Sequence, residues 1–194
     1  MTRRHAPARP PHATVRPTRA LHRDAAALLL AATALALGLA VYTLARPPRG
    51  AWLWPAAWTW PVLMPTALPP ALQACLGCLP SAMHGLAFAL LNLVLLHGGN
   101  ARPCRCAPVW AVCCGWCLLG LLFEAGQHPR LAQGIADALR GGDAPAVWLE
   151  PVARYFTRGT FDVLDLAATV TGCAAAGCLW HGAGRRQANA RSKA

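Results

Sequence analysis

The sequence predicts an all-α, polytopic membrane protein with four transmembrane helices and short amphipathic interfacial helices in the outer loops. Two observations carry this prediction. The chain of 194 residues is 56% hydrophobic and only 13% charged, which suits a membrane protein better than a soluble domain. Its apolar residues also form four runs, and each approaches or reaches the roughly 17 to 25 residues that cross a bilayer as a helix.

The four transmembrane helices are predicted at residues 25–45, 82–98, 107–126 and 162–181, within a membrane domain that covers residues 25–182. The first run could instead be the core of a secretory signal. It is longer than the usual signal core and other apolar runs follow it, so an uncleaved anchor is favoured. Residues 1–24, rich in Arg and Pro, are predicted to be a disordered basic tail, and residues 183–194 form a second basic tail.

Basic residues indicate the orientation. Four crossings put both termini on one side, and twelve of the eighteen lysines and arginines fall on that side. The positive-inside rule therefore predicts a multi-pass protein of the cell inner (cytoplasmic) membrane with both termini in the cytoplasm. The net charge of +11 does not indicate nucleic acid as a partner, because no recognition motif accompanies it. Anionic membrane lipid is the expected partner of the basic tails.

The two outer loops differ in character. The first, residues 46–80, is rich in Trp and Pro, so we expect an interfacial segment without a regular helix, its indole rings at the lipid headgroups. In the second, Leu131, Ile135 and Leu139 recur every four residues, and a similar pattern follows from Trp148 to Phe156. Two short amphipathic helices on the membrane surface are predicted there, with an ordinary ordered loop as the alternative.

The nine cysteines predict neither a metal site nor a cofactor. Five of them lie inside apolar runs, where a thiol acts as a small hydrophobic group. Cys75 and Cys78 form one closely spaced pair, and Cys104 and Cys106 form another. Neither pair has partner ligands at zinc-site spacing on its own side of the membrane. Whether Cys75 and Cys78 form a disulfide stays open.

Polar residues gather at the outer ends of the third and fourth helices. Glu124 and Gln127 are three residues apart, as are Asp162 and Asp165, so each pair shares a helix face. Ionisable groups at the edge of the hydrocarbon are costly and indicate a function. The predicted members of one polar pocket are Glu124, Gln127, Arg158, Asp162, Asp165 and His84, with Arg158 compensating the acids.

Plainer interpretations compete with this pocket. Asp162 and Asp165 would suit the start of a helix as capping carboxylates. Arg158 is placed to extend to the lipid headgroups, and His84 would suit the membrane interface as well as a binding site.

A stripe of small residues continues along the fourth helix. From Asp165 the helical spacing leads to Thr169, Gly172 and Ala176. Small side chains allow neighbouring helices to approach closely. These three residues are therefore predicted to lie in a helix–helix contact.

Three segments together resemble the VanZ-like family of four-helix integral membrane proteins. They are Met-His-Gly-Leu-Ala-Phe-Ala-Leu-Leu (83–91), Phe-Glu-Ala-Gly-Gln (123–127) and Arg-Gly-Thr-Phe-Asp-Val-Leu-Asp-Leu-Ala-Ala-Thr-Val-Thr-Gly (158–172). In that family a Glu and a Gln end the third helix, and Arg-x-x-x-Asp-x-x-Asp, followed by Asn-x-x-Gly, opens the fourth. The matching residues here are Glu124, Gln127, Arg158, Asp162, Asp165 and Gly172. Thr169 replaces the asparagine, and the loop from 128 to 157 is unusually long, so the chain resembles a divergent member.

The resemblance implies a cell-envelope protein, and the family is linked to resistance to the glycopeptide antibiotic teicoplanin without an established activity. Two classes of function are then open. One is a pocket that binds a polar lipid headgroup or a protein partner, with Arg158 pairing with phosphate or carboxylate. The other is a membrane-embedded enzyme acting on a lipid-linked envelope precursor, with Glu124 or Asp165 as general base. The first is favoured because no serine, cysteine or metal-ligand set joins the polar group in the sequence.

Overall fold

The computed structural model describes residues 18–45, 69–97, 106–141 and 149–192. Within these ranges every secondary-structure element is a helix, which confirms the all-α fold class. Four of the helices are long and apolar enough to cross a membrane. The helices are α1 (Thr18–Ala45), α2 (Pro70–His97), α3 (Cys106–Gly126), α4 (Pro129–Arg140), α5 (Glu150–Arg158) and α6 (Val163–Ser192).

The start of α2 differs most from the prediction. The helix begins at Pro70 and continues through Pro80, although the sequence predicts no regular helix before residue 82. Pro70 needs no amide hydrogen in the first turn. Pro80 is buried where α2 passes Gly38 of α1: a Cβ atom on Gly38 would lie 3.2 Å from the Cβ of Met83 and 3.7 Å from the Cα of Pro80. The tryptophans of residues 52–60, predicted to lie at the headgroups, are outside the described residues.

The first and last helices extend beyond the predicted membrane crossings. α1 already includes residues 18–24 and α6 continues to Ser192, where the sequence predicts basic tails. Backbone hydrogen bonding does not stop at the edge of the hydrocarbon, and the Ala, Arg and Gln residues of these extensions favour helix. The described parts of both tails are therefore continuous with the bundle.

The bundle is organised around α2 and α6. These two helices contact each other most extensively, while α1 packs mainly on α2 and α3 packs mainly on α6. A Cβ atom on Gly172 would overlap the backbone of Ala82, and one on Gly85 would lie 3.0 Å from the carbonyl oxygen of Thr169. Both helices thus place a glycine at their closest approach, as small residues allow.

The predicted stripe of small residues lies in this packing. Thr169, Gly172 and Ala176 are all buried, and the methyl group of Thr169 faces Gly120 of α3. Most of the surrounding core side chains are alanines, with Leu90 and Leu93 as the largest fully buried residues of α2. The core is therefore built for close backbone approach more than for bulky side-chain packing.

Helices α4 and α5 form the connection between α3 and α6, where the sequence predicts two short amphipathic helices. α4 begins with Pro129 after His128, whose Nδ1 accepts a hydrogen bond from the backbone N–H of Arg130 at 3.3 Å. The two helices pack on each other, and each buries two residues: Ala132 and Ala136 in α4, Ala153 and Phe156 in α5. Their location on a membrane surface stays a prediction.

An exposed group of ion pairs joins α4 to α5 and makes the stability of these two packed helices depend on pH. Arg140 and Arg154 both donate to the carboxylate of Glu150, at 2.9 and 3.0 Å. The hydrogen bond from Arg140 lowers the pKa of Glu150 below its ordinary value of 4.5. Because this pKa is lower in the folded state, the carboxylate of Glu150 stabilises the folded state above its ordinary pKa. This stabilisation is lost as the pH falls through the folded-state pKa.

We expect hydrogen-exchange protection of α4 and α5 to decrease slightly as the pH falls below 4.5, the ordinary pKa of Glu150. In Glu150→Gln the protection should already be reduced at neutral pH and should change less with pH. The effect should be small because surface ion pairs contribute little. Protection that responds neither to pH nor to the substitution would show that this ion-pair group does not stabilise the α4–α5 pair.

Candidate functional site

Glu124 joins the end of α3 to the start of α6. Its side chain is buried, with the residue only 9% exposed, and its Oε1 accepts a hydrogen bond from the backbone N–H of Asp162 at 2.8 Å. Asp162 in turn accepts from the backbone N–H of Leu164 at 2.8 Å, which is the bond of a helix N-cap. Asp162 thus has the capping role of the plainer interpretation, and Glu124 holds the capping residue in place.

Asp165 is hydrogen-bonded to a serine of α2. Asp165 lies in the first turn of α6 and is buried, and its Oδ1 accepts from the Ser81 hydroxyl at 2.7 Å. The sequence-based statement that no serine joins the polar group is therefore wrong. Its cause is the assumed break at Pro80. In a continuous helix, Ser81 is three residues from His84 and shares its face.

Gln127 connects α3 to α5. It follows α3 directly, is buried, and its Nε2 donates to the Tyr155 hydroxyl at 2.6 Å. A Cβ atom on Gly159 would overlap the side chain of Gln127, so a larger residue there would displace that side chain. Gln127 therefore helps to hold α5 and the connection that follows it against the end of α3.

A cavity of about 360 Å³ opens beside these residues, between α2 and α3. We call it the α2–α3 cavity. Its polar lining consists of Ser81, His84, Glu124, Tyr155 and Thr169, and the rest is Gly85, Phe88, Trp116, Leu119, Gly120 and Phe123.

Aromatic rings form one side of the α2–α3 cavity. Phe88 and Trp116 are stacked with ring centroids 5.0 Å apart, and His84 is stacked with Phe88 at 6.0 Å. Phe123 contacts Tyr155 edge to face at 5.8 Å. The carboxylate of Glu124 and the hydroxyl of Ser81 lie beside this aromatic wall as further lining groups. The cavity therefore combines an apolar surface with groups that donate and accept hydrogen bonds.

The structure brings together most, but not all, of the predicted pocket. Glu124 and His84 line the cavity directly. Asp165 and Gln127 lie one hydrogen bond away, through Ser81 and Tyr155 respectively.

The two remaining predicted residues, Asp162 and Arg158, are exposed. Asp162 contributes its backbone N–H to Glu124. Arg158 makes no ion pair within the described part of the chain, so the structure does not bring it to the acids. α5 ends at Arg158, and Gly159 continues in extended conformation before α6 begins. The arginine and the aspartates consequently do not share a helix face.

Three of the five polar cavity residues, Ser81, Tyr155 and Thr169, were not predicted as members of the pocket, and Thr169 was assigned only to a helix–helix contact. Ser81 was hidden by the proline before it, and Tyr155 was assigned only to the apolar face of a surface helix. Among the residues that the structure describes, no group of three or more His, Cys, Asp or Glu side chains is arranged to hold a metal ion. Cys75 and Cys78 lie on α2 as free thiols, and Cys104 lies outside the described residues.

The chemistry of the α2–α3 cavity suits an amphiphilic ligand. An ionised carboxylate only accepts hydrogen bonds, whereas hydroxyl groups both donate and accept. The volume of the α2–α3 cavity lies within the range typical of small-molecule sites. Comparison of the chain with protein-family models, with curated proteins and with solved structures finds no match.

Proposed function

We propose that this chain is a VanZ-like integral membrane protein of the cell envelope whose α2–α3 cavity binds the polar headgroup of a membrane lipid. The observation that carries the proposal is the cavity itself. It lies between two helices that are long and apolar enough to cross a membrane, and it presents a carboxylate, hydroxyls and an imidazole beside an aromatic wall. An amphiphile offers the matching combination of a polar group and an apolar chain.

The polar lining favours a headgroup that donates hydrogen bonds. Glu124 lines the cavity, and Asp165 is buried behind Ser81, while the arginine expected to bind phosphate is exposed at the end of α5. Carboxylates accept hydrogen bonds and repel anions. Hydroxyl or ammonium groups therefore suit the cavity better than a phosphate.

The orientation proposed with this function puts the cavity at the outer face of the cell inner membrane and both termini in the cytoplasm. Reporter fusions after Arg105 and after Arg186 should then read cytoplasmic, and a fusion at Gly141 should read external. The reason is the excess of basic residues on the terminal side. An external signal from the fusion after Arg186 would contradict the four-crossing topology and would place the cavity on the other face.

Lipid analysis of gently purified protein tests the proposed function. We expect mass spectrometry to find one lipid class retained with the wild-type chain and lost from Phe88→Ala, which removes part of the aromatic wall. Leu95→Ala is the matched control, because Leu95 is on the same helix, is 79% exposed and does not line the cavity. Equal lipid retention in both variants would contradict the proposal.

An enzyme acting on a lipid-linked envelope precursor is the second candidate, and one observation favours it. The Ser81 hydroxyl donates to Asp165 at 2.7 Å, and a hydroxyl beside a carboxylate is the arrangement from which a general base activates a nucleophile. Chemical change of a retained lipid by the wild-type chain, abolished in Ser81→Ala while the lipid still binds, would favour the enzyme. Retention of unchanged lipid by both would favour the binding function.

A further inference from the structure

A second cavity, of about 430 Å³, lies at the opposite end of the bundle, between the start of α1 and the end of α6. The apolar part of its lining includes Leu30, Leu90 and Leu179, and its polar side chains are Arg23, Arg186 and Trp180. We call it the α1–α6 cavity. It shares none of its described lining residues with the α2–α3 cavity.

Arg23 is held in a fixed position in this cavity. Its Nε and Nη2 donate to Asp24 Oδ1 at 3.0 and 2.9 Å, and Nη2 also donates to the carbonyl oxygen of His97 at 3.3 Å. The guanidinium carbon lies 4.3 Å from the ring centroid of Trp180, a cation–π contact. Only Nη1 makes no hydrogen bond within the described residues. The guanidinium group is therefore oriented before any ligand arrives.

The charge at the mouth of the α1–α6 cavity is positive. Arg23 and Asp24 form an ion pair with both side chains largely buried, at 7% and 10% exposure, and together they are neutral. Arg186 is exposed and makes no ion pair within the residues that the structure describes. Among the described lining residues it leaves one net positive charge beside an apolar groove, which matches a ligand with one negative charge and a hydrocarbon chain.

Trp180 forms part of the wall of the same cavity, and its indole N–H is enclosed within the protein. The residue is only 3% exposed, and its indole Nε1 is buried without a hydrogen-bond partner among the described residues. Buried donors normally have an acceptor. Trp180 lies six residues before Arg186, about 9 Å along the helix axis, and thus deeper in the membrane than the charged mouth.

We propose that the α1–α6 cavity binds an anionic phospholipid with a single phosphodiester charge. The phosphate lies between Arg186 and Nη1 of Arg23, which can form charge-assisted hydrogen bonds with it. An acyl chain of the same lipid follows the leucines of the groove. This site is independent of the headgroup site in the α2–α3 cavity.

Native mass spectrometry of the full chain in detergent tests this lipid site, with phosphatidylglycerol and phosphatidylcholine of identical acyl chains as probes. Arg186→Gln should lower the affinity for phosphatidylglycerol about tenfold, the loss expected for one hydrogen-bonded charge. Arg185→Gln is the matched control, because Arg185 is the exposed neighbour with the same charge and does not line the cavity. Affinity for phosphatidylcholine should be lower in the wild type and similar in all three proteins.

The proposal is overturned if both arginine variants reduce the affinity for phosphatidylglycerol by the same factor. That result would indicate a general attraction of the lipid to basic residues. It is also overturned if neither variant changes the affinity for phosphatidylglycerol, or if the wild type binds the two lipids with the same affinity. Displacement of phosphatidylglycerol by equimolar inorganic phosphate would show a phosphate site without a role for the acyl chain. Both substitutions are at exposed positions, so folding does not obscure the comparison.

Discussion

Gly172→Ala is expected to lower the free energy of unfolding by about 3 kcal/mol, at the upper end of the usual cost of overpacking a core. The added Cβ atom would overlap the carbonyl group of Ala82 and approach the backbone nitrogen of Leu86. These are backbone atoms, so α2 and α6 can relieve the overlap only by moving apart. Because these two helices form the centre of the bundle, the other contacts would loosen with them.

Gly184→Ala is the matched control, because Gly184 is on the same helix, lines neither cavity, and would place a Cβ atom with nothing within 4 Å. Alanine favours helix over glycine, so this variant should unfold at the same temperature as the wild type or slightly above it. Thermal unfolding in detergent, followed by circular dichroism, measures both. If the two variants unfold alike, the close contact at Gly172 does not hold α2 and α6 together.

Glu124→Ala and Glu124→Gln are expected to have different effects: the first on stability, the second on lipid binding. Alanine removes the acceptor for the backbone N–H of Asp162, and an unpaired polar group in this partly buried place costs about 1 to 3 kcal/mol. Glutamine keeps a side-chain oxygen at the same place, so the hydrogen bond and the start of α6 can persist while the charge is lost. Glu124→Gln should therefore fold almost as well as the wild type but bind the proposed lipid more weakly.

Unfolding temperature and retained lipid, measured on the same samples, separate the two roles. If Glu124→Gln is as unstable as Glu124→Ala, the carboxylate charge itself is structural. If Glu124→Gln retains as much lipid as the wild type, Glu124 acts only as a link between α3 and α6, and the cavity does not use its charge.

Helix number and type were predictable from the sequence, because length and apolar composition decide which segments can cross a membrane. α3 begins and ends within one residue of its prediction. The start of α2 was not predictable in the same way, since prolines argue against a helix unless a neighbouring helix supports them. In the bundle Pro80 is buried beside Gly38 of α1, and no rule based on local sequence contains that long-range neighbour.

The polar site was predictable in outline and not in its contacts. Residue spacing placed Glu124 and Gln127 together at the end of α3, where Gln127 lies one residue beyond the helix, and placed Asp165 near the same level. It could not show that the helix is interrupted between Arg158 and Val163. This interruption separates the arginine from the acids. It also did not identify Ser81, because the helix was predicted to begin at residue 82, after Pro80, which left Ser81 outside it although it bonds Asp165.

The buried network at the other end was missed for a related reason. Arg23 and Asp24 fall in a segment whose composition resembles a disordered tail, and a basic residue next to an acidic one attracts no notice there. Only the packing of α1 against α2 and α6 brings Arg23 to His97 and Trp180. Long-range contacts of this kind follow from the fold and are not encoded in local spacing.

Site-specific photo-crosslinking inside the membrane tests the central claim most directly. A photoreactive phenylalanine analogue at position 116 replaces a residue that lines the α2–α3 cavity, whereas the same analogue at position 118 replaces Leu118, which is 58% exposed on the same helix and is not among the cavity residues. If the cavity binds a specific headgroup, position 116 should form an adduct with one lipid class and position 118 should form adducts in proportion to the bulk membrane. The same mixture of adducts at both positions would contradict a specific lipid site between α2 and α3.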